Sequence, residues 1–128
     1  MRLGYTIIYV PSVEAALQFY AQAFNLKIAF LHESKQYGEL DTGNTALAFV
    51  DESLAEANGA AFTRNRLDQQ APGFEIAFTT NNVNQAYQHA LTAGATGIKE
   101  PAEKPWGQTV AYVRDLNGVL VEICTPMG

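Results

Sequence analysis

Two glutamates interrupt runs that otherwise read as sheet core: Glu75 in "GFEIAFTT" (residues 73 to 80) and Glu122 in "VLVEIC" (residues 119 to 124). Burying a carboxylate is costly unless something pairs with it, so each glutamate asks for a partner. Three chemistries would supply one: a divalent metal shared with other donors, a proton exchanged with a substrate by a general base, or the ammonium group of a bound ligand. The alternative is that each is hydrogen-bonded to a neighbouring Tyr or Thr and otherwise idle; ligand contact is the preferred reading, because unpaired buried charge is rarely kept. If the two approach each other with no cation between them, one must hold its proton to a higher pH. Cys124 lies two residues beyond Glu122 and shares its strand face, but no His or Asn arrangement activates it, so it reads as a small inert buried residue. Trp106, the single tryptophan, stands between Pro105 and Gly107 at a hairpin tip. Its ring either stacks on a flat or cationic ligand or packs under the hairpin or against a partner subunit. Arg114 reads as a solvated surface residue in preference to a partner for a pocket carboxylate, and "DLNG" (115 to 118) as a turn.

The elements that must position these residues follow from periodicity. "LGYTIIYV" (3 to 10) is β-branched and aromatic and stops at Pro11, a strand and its breaker. Ser12 then caps a helix that places Val13, Ala16, Leu17, Tyr20 and Phe24 on one apolar stripe. Three short strands follow in "LKIAFLHE", "QYGELDTG" and "TALAFVD". The second half repeats this order, with a strand in "GFEIAFTT", Asn82 as cap, a stripe of Val83, Ala86, Tyr87, Ala90 and Leu91, and Gly94 beyond the helix end. Ser12 and Asn82, Val13 and Val83, and Ala16 and Ala86 are each 70 residues apart, whereas Asp41 and Asp115 are 74 apart, which puts the extra residues in the hairpin around "EKPWGQ". Glu122 therefore corresponds to Ala48, and Glu75 to Tyr5. The predicted fold class is α+β: tandem βαβββ modules over residues 1–51 and 73–128, building a curved mixed sheet with helices on the convex face and a pocket on the concave face. Residues 52–72 contain a short helix in "ESLAEA" and act as a linker or a lid.

Strand side chains alternate between faces. Phe74, Ile76 and Phe78 share one face, Glu75, Ala77 and Thr79 the other; likewise Val119, Val121 and Ile123 oppose Leu120, Glu122 and Cys124, and Leu47 and Phe49 oppose Ala46, Ala48 and Val50. The large apolar faces are seats for the helices. The opposite faces, with small residues and a few polar groups, are pocket walls, and Tyr5, Ile7 and Tyr9 join them by register with Glu75.

Composition narrows the partners. Eight Lys and Arg against thirteen Asp and Glu give a net charge of −5, and no basic run occurs, so nucleic acid and anionic membrane are poor partners and a cationic or neutral small molecule fits better. One cysteine allows no internal disulfide and suits a reducing compartment, with cytoplasm the default. No stretch approaches the ~20 apolar residues of a membrane span, and the N-terminus lacks the pattern of a secretory signal.

The tandem repeat, with "YVPSVEAALQFYAQAFNL", "PWGQTVAYVRDLNG" and the closing "VLVEI", resembles the vicinal oxygen chelate superfamily of glyoxalases, extradiol dioxygenases, and fosfomycin- and bleomycin-resistance proteins. The "PWG" stretch looks most like the bleomycin-resistance and uncharacterised branches. In metal-dependent members the ligands come from the first, fourth, fifth and eighth strands, two His and two Glu in the glyoxalase pattern. The resemblance maps these onto Tyr5, Ala48, Glu75 and Glu122, of which only Glu122 matches. His89, on the exposed side of its helix, and His32, at a different strand position, do not replace the missing imidazoles. No metal or other cofactor is therefore expected. What the resemblance implies instead is a homodimeric small-molecule-binding, sequestering protein for a cationic or amine-bearing ligand, with Tyr5, Ile7, Ala48, Glu75, Trp106 and Glu122 in contact with it. The competing expectation is a glyoxalase-like lyase or isomerase, in which Glu75 and Glu122 are the catalytic candidates on an atypical metal site or as a metal-free base; a non-catalytic assembly or regulatory role is a third.

Overall fold

The computed structural model describes residues 1–127. The order of elements is β1 (Tyr5–Val10), α1 (Val13–Ala23), β2 (Ile28–Leu31), β3 (Tyr37–Leu40), β4 (Ala46–Asp51), α2 (Glu52–Ala57), β5 (Glu75–Thr79), α3 (Val83–Thr92), β6 (Thr96–Glu103), β7 (Thr109–Arg114) and β8 (Leu120–Cys124). They form two four-stranded mixed sheets, β1-β4-β3-β2 and β5-β8-β7-β6, so the βαβββ plan occurs twice. The chain divides into two compact units, Met1–Arg64 and the residues from Asn65 onward.

In the first unit Ser12 caps α1 by accepting from the Ala15 N–H at 3.2 Å. The helix buries Val13, Ala16, Leu17, Phe19, Tyr20 and Ala23 against β2, β3 and β4, and Tyr20 stacks at a tilt on Phe49 with centroids 5.0 Å apart. Gly38 in β3 makes this seat possible. A Cβ there would lie 2.5 Å from Leu17 Cδ1 and 3.2 Å from the Phe30 carbonyl, so a larger residue would require the Leu17 side chain to move. Asn25 takes the left-handed conformation just past α1, with φ of 59°. α2, capped by Asp51, packs against β1 and β4, and Phe62 closes edge-on over Tyr9 with centroids 4.7 Å apart.

The second unit repeats the plan. Asn82 caps α3 by accepting from the Gln85 N–H at 3.1 Å, Val83, Tyr87 and Ala90 are buried, and Gly94 follows with φ of 110°. β6 is eight residues long where β2 has four, which is where the longer spacing of the second half is taken up, together with its hairpin. Pairing of Ile7 with Ala48 in one sheet and of Ala77 with Glu122 in the other puts the repeat in the anticipated register. Phe74 departs from expectation. Its N–H bonds to the Pro72 carbonyl at 2.9 Å, the ladder begins only at Glu75 opposite Leu120, and Phe74 is left 43% exposed instead of in the core face with Ile76 and Phe78. Among the described residues no helix is long and apolar enough to cross a membrane.

Candidate functional site

Three strands of the second unit bring its polar groups together. β5 and β8 are parallel, with Glu75 opposite Leu120 and Ala77 opposite Glu122; β7 runs antiparallel to β8, with Tyr112 opposite Glu122. Opposed residues share a face, so Glu75, Glu122, Tyr112 and Cys124 all lie on the face away from α3. Val121, Ile123, Ala111 and Val113 fill the other face and are at most 2% exposed. Burial of that apolar layer holds the polar layer in place.

The Tyr112 hydroxyl donates to Glu122 Oε1 at 3.1 Å. The Glu75 carboxyl reaches the same group and shares a hydrogen bond with it. The Cys124 thiol sits between Glu122 and the Phe78 carbonyl, 3.8 Å from the latter. Partial burial, then the hydrogen bond and negative charge of Glu122, push Glu75 up to about 7. The residue as a whole is exposed. For Glu122, burial acts upward but is outweighed by hydrogen bonds from Cys124, Glu75 and Tyr112 and by the positive charge of Lys104, so its carboxyl is held below the usual value. The two carboxyls thus share one proton, carried by Glu75, with the anion on Glu122. Burial and Glu122 together raise Tyr112 to about 12 and Cys124 to about 11, which keeps both protonated as donors. A thiol held so high is a poor nucleophile, in keeping with the inert reading of Cys124.

Trp106 stands at the hairpin tip, 62% exposed, with Nε1 donating to Gln108 Oε1 at 2.9 Å; Gln108 in turn donates to the Thr125 carbonyl at 2.7 Å. The indole is therefore oriented and open, and not packed beneath its own hairpin. The turn at "DLNG" is built on Asp115, whose carboxylate accepts from the N–H groups of Asn117 and Val119 at 2.8 and 2.9 Å. Arg114 is neither a solvated surface residue nor a partner of the glutamates. Its guanidinium donates to the carbonyls of Gly118 (2.8 Å), Leu67 (3.1 Å), Arg66 (3.3 Å) and Gln69 (2.6 Å), because a planar five-donor fork can satisfy several clustered carbonyls at once.

In the first unit Tyr5 and Ile7 lie on the corresponding face, 58% and 45% exposed, while Ala48, opposite Ile7, is 0% exposed and forms floor between its neighbours. His32 turns its ring to Ser34, with Nδ1 2.8 Å from the hydroxyl, and His89 is exposed on α3. The four positions that the resemblance assigns to metal carry a phenol, a methyl group and two carboxyls that share a proton. Among the described residues no three His, Cys, Asp or Glu are grouped to hold an ion. This donor set does not fit a divalent metal of the glyoxalase type. Tyr112 and Lys104 were not singled out from sequence. The signal for Tyr112 was present, since the tight "DLNG" turn sets the β7–β8 register and hence the Tyr112–Glu122 pair.

The sequence profile of the "Glyoxalase/Bleomycin resistance protein/Dioxygenase superfamily" matches residues 2–123. The uncharacterized protein YraH of Bacillus subtilis (strain 168) is 26% identical over 126 residues, spanning 96% of this chain and 97% of that protein. Among solved structures, a glyoxalase-related enzyme from Fulvimarina pelagi superposes with a TM-score of 0.83 at 20% identity, covering 98% of this chain and 88% of its own. A glyoxalase/bleomycin resistance protein/dioxygenase family enzyme from Burkholderia phytofirmans PsJN gives 0.74 at 23% identity, covering 98% of both chains.

Proposed function

We propose that this chain, which belongs to the glyoxalase/bleomycin resistance protein/dioxygenase superfamily, is a small-molecule-binding protein of the sequestering kind that holds a cationic or amine-bearing ligand on Glu75 and Glu122. The observation that carries this reading is the placement of both carboxyls on the face of the second sheet that α3 leaves uncovered, with Glu122 held by the Tyr112 hydroxyl and Glu75 pushed up to about 7 beside it. Two carboxyls side by side hold a proton for want of a better cation, and an ammonium group relieves the same repulsion while adding hydrogen bonds. Trp106, exposed and oriented through Gln108, supports stacking of a flat cationic ligand at the hairpin. The donor set argues for binding without a divalent metal. Assembly as a homodimer and residence in the cytoplasm belong to the same proposal, and antibiotic resistance by sequestration is the biological role it implies.

A panel of cationic aromatic antibiotics, followed by Trp106 fluorescence and calorimetry, tests it. The double change Glu75→Gln with Glu122→Gln should weaken the best binder by more than ~1.4 kcal/mol, about tenfold. Unchanged affinity in the folded double variant would sink the charge reading, as would stoichiometric bound metal together with chelator-sensitive turnover of a thiohemiacetal or catechol. A second reading rests on Glu75 alone. A carboxyl pushed up to about 7 suits a general base near neutral pH, so a metal-free lyase or isomerase is the rival. It predicts thiohemiacetal turnover that Glu75→Gln abolishes and chelators leave intact.

A further inference from the structure

The strand that carries Glu122 ends beside the hairpin that carries Trp106, and one side chain joins the two. Tyr112 stands opposite Glu122 and Val110 opposite Cys124, and the pairing runs on past the strand end. There the Thr125 N–H bonds to the Thr109 carbonyl and the Thr125 hydroxyl accepts from the Thr109 N–H, both at 3.0 Å. Gln108 follows the same alternation as Val110 and Tyr112. Its backbone carbonyl accepts from the Lys104 N–H at 2.7 Å and closes the hairpin, while Gly107, with φ of 92°, turns the tip by placing its N–H 2.8 Å from the Lys104 carbonyl. The Gln108 side chain is committed at both ends: Oε1 accepts from Trp106 Nε1 at 2.9 Å and Nε2 donates to the Thr125 carbonyl at 2.7 Å. An indole N–H only donates and a carbonyl only accepts, so these partners fix which way the amide faces. Asn is a methylene short of this bridge, and an ionised Glu has no proton for the Thr125 carbonyl.

We propose that Gln108 is a positioning residue that sets ligand preference: by tying the indole to the end of β8 it holds Trp106 in one orientation, and so favours a flat aromatic ring that carries its amine on a spacer over a compact amine. This rests on the reading that a cationic ligand is held on Glu75 and Glu122. Preorganisation is the physical reason. An indole 62% exposed at a hairpin tip turns about two side-chain torsions, and a ligand that stacks on a mobile ring must order it first. Held by Gln108, the ring has given up that freedom before binding, and the gain falls only on ligands that use its face. The spacer follows from the strand. Gln108 and Tyr112, the partner of Glu122, are four residues apart, about 13 Å along an extended chain, so ring and amine occupy separate ends of the ligand. A hydrogen bond of this kind shifts an equilibrium by roughly twofold to tenfold, which bounds the effect.

The chain has a single tryptophan, so its indole N–H gives one resonance in the isotope-labelled full chain. That resonance should be as ordered as the strand amides in the unaltered protein and mobile in Gln108→Met, with the remaining spectrum reporting that the variant is folded. Calorimetry then compares chloroquine, a flat ring with its amine on a spacer, with the diethylaminopentylamine chain alone. Gln108→Met should weaken chloroquine by roughly threefold to tenfold and change the diamine by less than about twofold. Trp106→Phe should cost chloroquine less in the Gln108→Met background than in the unaltered protein, because a ring already loose contributes less; mere support of the hairpin would not give that dependence. An indole still ordered in Gln108→Met, equal losses for both probes, additive costs of the two substitutions, or no binding of chloroquine would overturn the proposal. Loss of both probes in Glu75→Gln with Glu122→Gln, but no change in Gln108→Met, would overturn it while upholding the glutamates. Unchanged binding in that double variant, with the Gln108→Met results as expected, would sink the glutamate reading and uphold the ordering of Trp106 by Gln108.

Discussion

Glu75 and Glu122 stand one register step apart on neighbouring parallel strands, with Glu75 opposite Leu120 and Ala77 opposite Glu122, near enough for their carboxyls to share a proton. Their difference comes from surroundings. Glu122 has Cys124, Glu75, Tyr112 and Lys104 to favour its anion, whereas burial first and then Glu122 act against the anion of Glu75. That asymmetry sets the direction of a pH effect. Below about 7 Glu75 carries the shared proton and a cationic ligand must displace it; above about 7 the site is already doubly charged. Affinity for a permanently charged cation should therefore rise as pH increases from 6 to 8 and level off above that, with close to one proton released per ligand at the acid end. Calorimetry in buffers of different ionisation heat measures the release, and Glu75→Gln should flatten the profile. A flat profile in the unaltered protein would show that the shared proton is not linked to binding.

At the scale of elements, the connection between the two modules is tied down at both ends. Its first part joins the first unit through α2, the Phe62–Tyr9 contact and the Arg64–Glu56 ion pair. Its second part is held by Arg114, which reaches three carbonyls between residues 66 and 69 as well as that of Gly118 at the β7–β8 turn. Gly118 has φ of 94°, and a Cβ there would lie 2.4 Å from Arg114 Nη2 and 2.8 Å from the Arg66 carbonyl, so both the turn and the clamp require glycine. Arg114→Ala should free the 65–70 segment. The expected readout is tryptic cleavage after Arg64 or Arg66 at least tenfold faster than in the unaltered protein, with a loss of roughly 2 kcal/mol in stability, the scale of hydrogen bonds from a charged donor. Arg114→Lys should behave nearly as badly, because an ammonium cannot span the carbonyls. Unchanged cleavage in both variants would mean that the segment is held by other contacts.

At the scale of the whole molecule, a net charge of −5 attracts cations to the chain as a whole. Salt should therefore weaken a monocationic probe by several-fold between about 0.1 M and about 1 M, as the screening length falls from about 10 Å to about 3 Å. A neutral isostere measured alongside should be unaffected, and parallel losses for both would assign the effect to something other than charge. The duplicated plan also leaves each unit with a Tyr–Glu hydrogen bond on its helix-free face. In the first it runs along β3 from Tyr37 to Glu39, and in the second it crosses from β7 to β8 between Tyr112 and Glu122. Most of this plan was legible beforehand. The caps at Ser12 and Asn82, the apolar stripes of α1 and α3, and the strand parity that moved Glu122 off the core face are local features, written within a few residues of one another. The repeat paired Glu122 with Ala48 by arithmetic alone, and the ladders carry the same pairing. Hydrogen bonding between residues tens of positions apart has no such local signature. That Glu75 reaches Glu122 across 47 positions, that Arg114 spends its donors on backbone 45 to 48 residues away, and that Phe74 leaves the ladder for the Pro72 carbonyl were settled by sheet register and chain path, which only tertiary packing decides.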